Sequence, residues 1–316
     1  GVQRGARDDR AGSRRSAPTG HRLMRIEIVD VGPRDGLQNE EKTLSPEIRA
    51  ELCERLAAAG VARVEAASFV NPKRVPQMAG AEEVMSAIER SPGTTYAGLV
   101  LNEKGYERAI GAGVDEVRYA FPVTETFARR NQNTTVADAT QLAARLVERA
   151  RLDGVRVSIT LSAAFGDPFE GRVEPEHVLR IAASVAASGP DEIVLADTIG
   201  VGVPSQVRKL IEGVLANGIT VACHFHDTRN TGIANAAAAV ESGATVLDAS
   251  VAGTGGCPFA PRATGNIATE DLVYLLHNMG YDTGIDLDAL IEVAIWLAQQ
   301  LNKELPGQVH KAGNFA

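Results

Sequence analysis

Thr220-Val221-Ala222-Cys223-His224-Phe225-His226-Asp227 is a short apolar run that ends in two histidines spaced two apart. In an extended strand, residues i and i+2 point to the same face, so both imidazoles project side by side from the strand's C-terminal end. Such a pair can grip one metal ion or form hydrogen bonds inside a barrel. Two further segments favour the metal. Ile26-Glu27-Ile28-Val29-Asp30-Val31 runs straight into Gly32-Pro33-Arg34-Asp35-Gly36, and a late glycine-rich loop holds Gly255-Gly256-Cys257-Pro258 and then Asn266. Asp, two His and Asn make a mixed oxygen and nitrogen donor set. That set suits a hard divalent ion such as Mg²⁺ or Mn²⁺, with positions left open for substrate.

Outward from this strand the chain alternates β-branched runs with longer amphipathic segments. Strands are expected at Ile26–Val31, Arg63–Phe69, Thr94–Leu101, Glu116–Phe121, Arg156–Ser162, Glu192–Asp197, Thr220–His226 and Thr245–Val251. Helical stretches fall between them, among them Pro46–Ala59, Val136–Leu152, Pro175–Ser188, Pro204–Asn217 and Gly232–Ser242. Ser45-Pro46-Glu47 is a helix start, with Ser as N-cap and Pro at the first helical position. Strand-helix units of about thirty residues predict an α/β fold, a (β/α)₈ TIM barrel with a C-terminal helical extension at Asp286–Gln300. A doubly wound open sheet would need a glycine-rich phosphate turn after its first strand, and Gly32–Gly36 is not one. In a barrel of this kind the chemistry sits at the C-terminal ends of the strands, where Arg34, Asp35, Asp197, His224 and His226 all fall.

Composition limits the function. The 316 residues carry a net charge of −8 and no basic face, which argues against a nucleic-acid partner. Nowhere do about eighteen apolar residues run together, so no transmembrane helix is expected. Cys53, Cys223 and Cys257 fit neither a zinc pattern nor a disulfide framework, which points to a reducing, cytoplasmic setting. Cys53 and Cys223 read as small buried hydrophobes. Cys257 differs because Gly253-Thr254-Gly255-Gly256 before it is not core sequence. The first 22 residues hold six Arg and two Asp among Gly, Ser and Ala, too little apolar surface to offset their ordering entropy. Residues 1–23 are expected to be a disordered or appended leader, with one barrel domain over 24–316.

The stretches Val31-Gly32-Pro33-Arg34-Asp35-Gly36-Leu37-Gln38, Val64-Glu65-Ala66-Ala67-Ser68-Phe69, Ala196-Asp197-Thr198-Ile199-Gly200, His224-Phe225-His226-Asp227-Thr228 and Ser250-Val251-Ala252-Gly253-Thr254-Gly255-Gly256-Cys257-Pro258 together resemble the 3-hydroxy-3-methylglutaryl-CoA lyase family. Gly265-Asn266-Ile267-Ala268-Thr269-Glu270-Asp271 strengthens the likeness, which spans about residues 24 to 312. Related barrel synthases that condense acetyl-CoA usually show His-x-His-Asn-Asp and lack the cysteine loop. The resemblance implies retro-Claisen cleavage of an acyl-CoA thioester, a Mg²⁺ or Mn²⁺ ion on Asp35, His224, His226 and Asn266, and a homodimer. It implies catalytic roles for Arg34, Glu65, Asp197, His224 and Cys257, and substrate contacts from Arg34, Gln38, Thr198 and Arg229. Arg34 would face the enolate oxygen, Asp197 or His224 would take the hydroxyl proton, and Cys257 would protonate the enolate carbon. Glu65 could equally orient Arg34, and Asn266 could cap the helix that follows it.

This chain departs from the family pattern in three places. Arg229-Asn230-Thr231 replaces the common Tyr-Gly-Gln, which would put an extra cation beside the metal strand and admit an extra carboxylate or a different acyl end. Asp167 and Phe169 stand where Cys and Tyr are frequent, and Thr254 and Phe259 replace Leu and Tyr. The reaction type is expected to hold. The acyl specificity is the open part, with 3-hydroxy-3-methylglutaryl-CoA first and citramalyl-CoA second.

Overall fold

A computed structural model describes residues 23–256 and 265–315. Its eight strands are β1 (Glu27–Asp30), β2 (Arg63–Ser68), β3 (Thr95–Val100), β4 (Glu116–Pro122), β5 (Arg156–Ser162), β6 (Glu192–Asp197), β7 (Thr220–Phe225) and β8 (Val246–Ala249). All neighbours are parallel, and β1 pairs with β8 to close the barrel. The helices are α1 (Pro46–Ala58), α2 (Ala81–Ala87), α3 (Glu103–Gly111), α4 (Glu125–Gln132), α5 (Val136–Asp153), α6 (Pro175–Ala186), α7 (Pro204–Leu215), α8 (Gly232–Glu241), α9 (Thr269–Asn278), α10 (Leu287–Leu301) and α11 (Val309–Ala312). Helix α10 is the expected extension and lies against α1 and α9. No helix among the described residues is long and apolar enough to cross a membrane. The expected leader, residues 1–23, lies outside the described residues apart from Leu23.

Local sequence explains where elements begin and stop. Ser45 caps α1 through Oγ, which accepts the Ile48 N–H, and Pro46 follows at the first helical position. Gly154 ends α5 in the left-handed region at φ 70°. Strand β8 is shorter than its sequence suggests. The Ser250 N–H bonds to the Ile267 carbonyl instead of a neighbouring strand, and Val251–Gly253 tighten into a 3₁₀ turn. Strand β7 stops at Phe225 because His226 pairs across to Asn266.

The barrel interior is layered, and much of it is charged. At its N-terminal end the buried Arg63 guanidinium meets Glu27 at 2.9 Å, Glu116 at 3.0 Å and Glu192 at 2.9 Å, while Ser158 donates to Glu116 at 2.8 Å. Above it lies a small apolar cluster of Val29, Val31, Val194, Ala222 and Val246. Two residues further along β2 and β4, Glu65 and Arg118 are again buried and charged, and Asp248 on β8 joins them. Period-two alternation aligns these layers: Arg63 with Glu65 on β2, Glu116 with Arg118 on β4, and Ala222 with His224 on β7. Burial pushes the Glu192 carboxyl up to about 7 despite the attraction of Arg63. The cysteines Cys53 and Cys223 are buried, and burial pushes both thiols well up, as expected of small core residues.

Removing one member of a buried charge cluster leaves its partners uncompensated, which typically costs about 3–5 kcal/mol. Arg63→Ala is therefore expected to lower the unfolding free energy by roughly that amount in a urea titration. A change below about 1 kcal/mol would mean that water or rearrangement already satisfies Glu116 and Glu192.

Candidate metal centre and active site

The chain leaves β1 through a single π-type turn, Gly32–Gly36, in which the Gly36 N–H reaches back to the Val31 carbonyl at 3.1 Å. Such one-turn π segments are frequent at functional sites because they re-aim side chains. Here the turn needs its glycines. A Cβ on Gly32 would lie 2.7 Å from Asp30 Oδ1, and one on Gly36 would lie 2.5 Å from Ser250 Oγ. The turn presents Arg34 and Asp35 to the mouth of the barrel. Arg34 Nε donates to Glu65 Oε1 at 2.6 Å and Arg34 Nη1 to Asp35 Oδ1 at 2.5 Å, so the guanidinium is fixed on two sides.

The other oxygen of Asp35 faces the histidines. Asp35 Oδ2 lies 3.7 Å from His226 Nε2 and 3.9 Å from His224 Nε2, and the two Nε2 atoms are 3.1 Å apart. One carboxylate oxygen and two imidazole nitrogens thus form a small triangle suited to a single cation. Asn266 joins it. Its Nδ2 contacts Asp35 Oδ2 at 2.8 Å and the Thr254 carbonyl at 3.1 Å, while its buried Oδ1 has no hydrogen-bond partner. An orphaned amide oxygen and two imidazole nitrogens aimed at one another are what a bound cation would resolve, so the donor set fits a divalent ion. Asn266 does not cap the following helix, since Ala268 takes the N-cap position of α9. Burial opposes the charge on Asp35, but the Arg34 guanidinium and the two imidazoles outweigh it and hold the carboxyl well below the usual range.

Two residues that the sequence reading passed over complete the arrangement. Arg118, buried on β4, donates to Glu65 Oε2 at 3.1 Å and to both oxygens of Asp248 at 2.9 and 3.0 Å. Asp248 on β8 in turn meets His224 Nδ1 at 3.1 Å, which fixes Nδ1 as the protonated nitrogen and turns Nε2 toward Asp35. Burial works against the Asp248 charge, and Arg118 and His224 together outweigh it, so its carboxyl is lowered. A signal did exist in the chain. Parallel register places Asp248 directly beside His224, and Arg118 is a lone cation inside the otherwise apolar run Val117–Phe121.

A cleft of about 1150 Å³, counting space open to solvent, lies over these groups. Gln38, Thr198, Thr160 and Ser162 line it together with the charged ring, and Val70, Val75, Leu99 and Phe127 form an apolar wall. Thr198 Oγ1 accepts the Ala163 N–H at 2.9 Å, which leaves its hydroxyl proton to donate. Phe169 packs edge-on against Phe127, and Arg130 stacks 4.4 Å above the Phe169 ring, so Phe169 buttresses that wall. Asp167 holds its own loop, accepting from Thr124 at 2.6 Å and from the Phe169 and Glu170 amides at 2.7 Å.

Not every expected residue reaches the cleft. Arg229 is tied to the carbonyls of Ile199 and Gly200 at 3.0 Å each and borders a separate depression with Asp227 and Gln308. Arg229 thus does not line this cleft, and its Nη1 makes both of these bonds. Asp197 is fully buried, and its two oxygens accept the loop amides of Val201 and Gly202 at 2.9 and 2.8 Å. Burial raises its carboxyl above the ordinary range in spite of those bonds. Cys257 and Phe259 lie outside the described residues. Gly256, which precedes Cys257, lines the cleft, and its carbonyl accepts from Asn39 at 2.8 Å.

Comparison with known proteins matches residues 25–296 to the family model described as HMGL-like. An (R)-citramalyl-CoA lyase of Chloroflexus aurantiacus is 47% identical over 300 residues, covering 91% of this chain and 95% of that protein. Among solved structures, hydroxymethylglutaryl-CoA lyase from Pseudomonas aeruginosa is 41% identical with a TM-score of 0.88, covering 92% of this chain and 98% of the other. An HMG-CoA lyase from Acinetobacter baumannii, in complex with coenzyme A and 3-methylmalate, is 37% identical with a TM-score of 0.87, covering 92% of this chain and 95% of the other.

The hydrogen bond to His224 Nδ1 makes Asp248 the outer support of the ligand triangle. Loss of such a support typically weakens metal affinity by about 10–100-fold. Asp248→Asn is expected to do so in a Mn²⁺ titration followed by electron paramagnetic resonance. Unchanged affinity would remove Asp248 from that role.

Proposed function

The chain belongs to the HMGL-like family, and from that premise we propose that it is a divalent-metal-dependent carbon-carbon lyase cleaving 3-hydroxy-3-methylglutaryl-CoA to acetyl-CoA and acetoacetate. The observation that carries this reading is the convergence of Asp35 Oδ2, His224 Nε2 and His226 Nε2 beside the fixed guanidinium of Arg34. Asp35, His224, His226 and Asn266 would hold the ion, and this mixed oxygen and nitrogen set with open positions and no thiolate favours Mg²⁺ or Mn²⁺. When bound, such an ion supplies Lewis-acid polarisation of substrate oxygens, worth several kcal/mol of charge stabilisation.

The chain's own residues account for the rest of the reaction. Cleavage removes a proton from the tertiary hydroxyl, breaks the C2–C3 bond and leaves the electron pair on the thioester enolate. Arg34, which Glu65 and Asp35 hold in one orientation, places a permanent cation where that enolate oxygen develops charge. Loss of such a preorganised donor typically costs about 10²–10³-fold in rate. Of the two acceptors considered for the hydroxyl proton, His224 has both ring nitrogens engaged, by Asp248 and within the ligand triangle. Asp197 follows the cleft-lining Ala196 but is itself buried, with both oxygens accepting loop amides, so the proton would go to Asp197 or His224, or pass along a relay between them. Gln38 and Thr198 offer polar contacts to the acyl end. Cys257, following the cleft-lining Gly256, would protonate the enolate carbon.

Charge balance narrows the acyl group. The cleft holds two guanidinium groups, Arg34 and Arg118, and three carboxylates, Asp35, Glu65 and Asp248. A divalent ion would leave a single net positive charge, which matches one free substrate carboxylate. With Arg229 committed elsewhere, an acyl group carrying a second carboxylate is not favoured. Citramalyl-CoA, which also has one free carboxylate and would yield pyruvate, is the second reading. The 47% identity to an (R)-citramalyl-CoA lyase favours it specifically. The likeness to the family further suggests a homodimer, and the cysteine usage a cytoplasmic setting.

The purified protein with Mg²⁺ or Mn²⁺ is expected to release acetoacetate from 3-hydroxy-3-methylglutaryl-CoA faster than pyruvate from citramalyl-CoA, measured with coupled dehydrogenases. The opposite preference would transfer the assignment to the second reading, and no cleavage of either thioester would end the lyase reading. Cys257→Ala is expected to abolish most turnover while retaining metal and thioester binding. Wild-type turnover in that variant would remove the thiol from the mechanism.

A further inference from the structure

The C-terminal segment reaches the catalytic end of the barrel through one buried pair. His310 on α11 has Nδ1 2.7 Å from Glu270 Oε1, and the two side chains are 7% and 0% exposed. The other Glu270 oxygen, Oε2, accepts the Ala252 N–H at 2.9 Å. The Ala252 carbonyl accepts from the Gly307 N–H, also at 2.9 Å. Both polar atoms of the Ala252 backbone are therefore held from α9 and the C-terminal segment. Gly307 can do this only without a side chain, since a Cβ there would lie 2.9 Å from His310 Nδ1 and 3.1 Å from the Ala268 Cβ. Asp271, the next residue of α9, accepts the Gln308 and Val309 amides at 3.0 and 2.6 Å and anchors the start of α11.

What this clamp grips is unusual. Ala252 sits at φ 60°, ψ 11°, a left-handed conformation that a residue with a Cβ adopts only at a cost. Strain of this kind persists where surrounding contacts over-determine it, and it clusters at functional sites. The strained residue lies inside a turn with a direct line to the ligand triangle. Gly253 N–H bonds to the Ser250 carbonyl, and the Ser250 and Thr254 hydroxyls meet at 2.6 Å. The Thr254 carbonyl then accepts Asn266 Nδ2 at 3.1 Å. The path thus runs from His310 through Glu270 and Ala252 to Thr254, and ends at the side-chain amide of Asn266.

We infer that His310 and Glu270 are positioning residues for Asn266, locking the strained turn at Ala252 so that Thr254 sets the orientation of the Asn266 amide at the metal site. The inference rests on the reading of Asn266 as a ligand. A purely structural role, in which His310 only docks α11 on the barrel, would change stability without changing metal affinity.

The test measures Mn²⁺ affinity by electron paramagnetic resonance, with thermal melting alongside, on the full chain. His310→Leu keeps bulk and removes the donor; it is expected to weaken Mn²⁺ binding by about tenfold or more, the size usual for an outer support. His310→Asn restores a donor near the Nδ1 position and is expected to recover affinity to within about threefold of wild type. Should His310→Leu fail to fold, Glu270→Met carries the same expectation, because its side chain can hold neither partner. Wild-type affinity in a folded His310→Leu or Glu270→Met variant overturns the inference, whatever happens to the melting temperature. Equal weakening in His310→Asn and His310→Leu also overturns it, since the donor would then be irrelevant. A wild-type protein that binds no Mn²⁺ overturns the metal reading and this inference together, so the two failures are distinguishable.

Discussion

Arg118 lies between Glu65 and Asp248, and through these two carboxylates it ties together the halves of the site. On one side Glu65 orients Arg34, the cation proposed to meet the enolate. On the other, Asp248 orients His224 and with it the ligand triangle. A guanidinium suits this position because its planar fork presents several donors at fixed angles, so one side chain can serve two carboxylates. Burial makes the arrangement stiff. Each charge loses hydration on entering the barrel, and only well-aligned partners offset that loss.

The two layers of buried charge in the barrel serve different ends. Around Arg63 the acids converge on one guanidinium at the N-terminal end of the strands, away from the mouth. Around Arg118 the same kind of pairing lies at the functional end and borders a cleft. The apolar cluster of Val29, Val194, Ala222 and Val246 fills part of the interior beside them. Position along the strand decides the role, since conserved chemistry in barrels of this kind gathers where the loops are free to vary. The π-type turn at Gly32–Gly36 and the left-handed Ala252 lie at that same end, where backbone irregularity aims side chains instead of weakening the core.

Much of this was legible in the chain. Alternating β-branched runs and capped amphipathic segments gave the eight strands to within a residue or two, with β8 the most shortened, and His224 with His226 pointed to the candidate metal site through a simple period of two. The short β8 was not legible, because the partner of Ser250 is the distant Ile267. Arg118 and Asp248 were missed for a related reason. A charged residue in a strand gives no sign of its partner until strand order and register are known, and Arg118 reaches Asp248 across the barrel from a strand that does not pair with β8. Arg229 drew notice for its charge and its place beside β7, but its position was not legible: it lines a separate depression, where Nη1 donates to backbone carbonyls of the β6–α7 loop.

By itself the sequence determined the periodicities, the caps and the kinds of donor available, because these depend on neighbours a few residues away. It thereby determined the barrel, the mouth at which chemistry could occur and the residue types available to hold a metal ion. Only the tertiary structure decided which charges meet. Arg34 with Glu65, Arg118 with Asp248, and Asp35 with Asn266 are separated by 31, 130 and 231 residues along the chain. Barrel closure brings them within hydrogen-bond distance, and at that range burial and Coulomb attraction fix each side chain's orientation and state of charge.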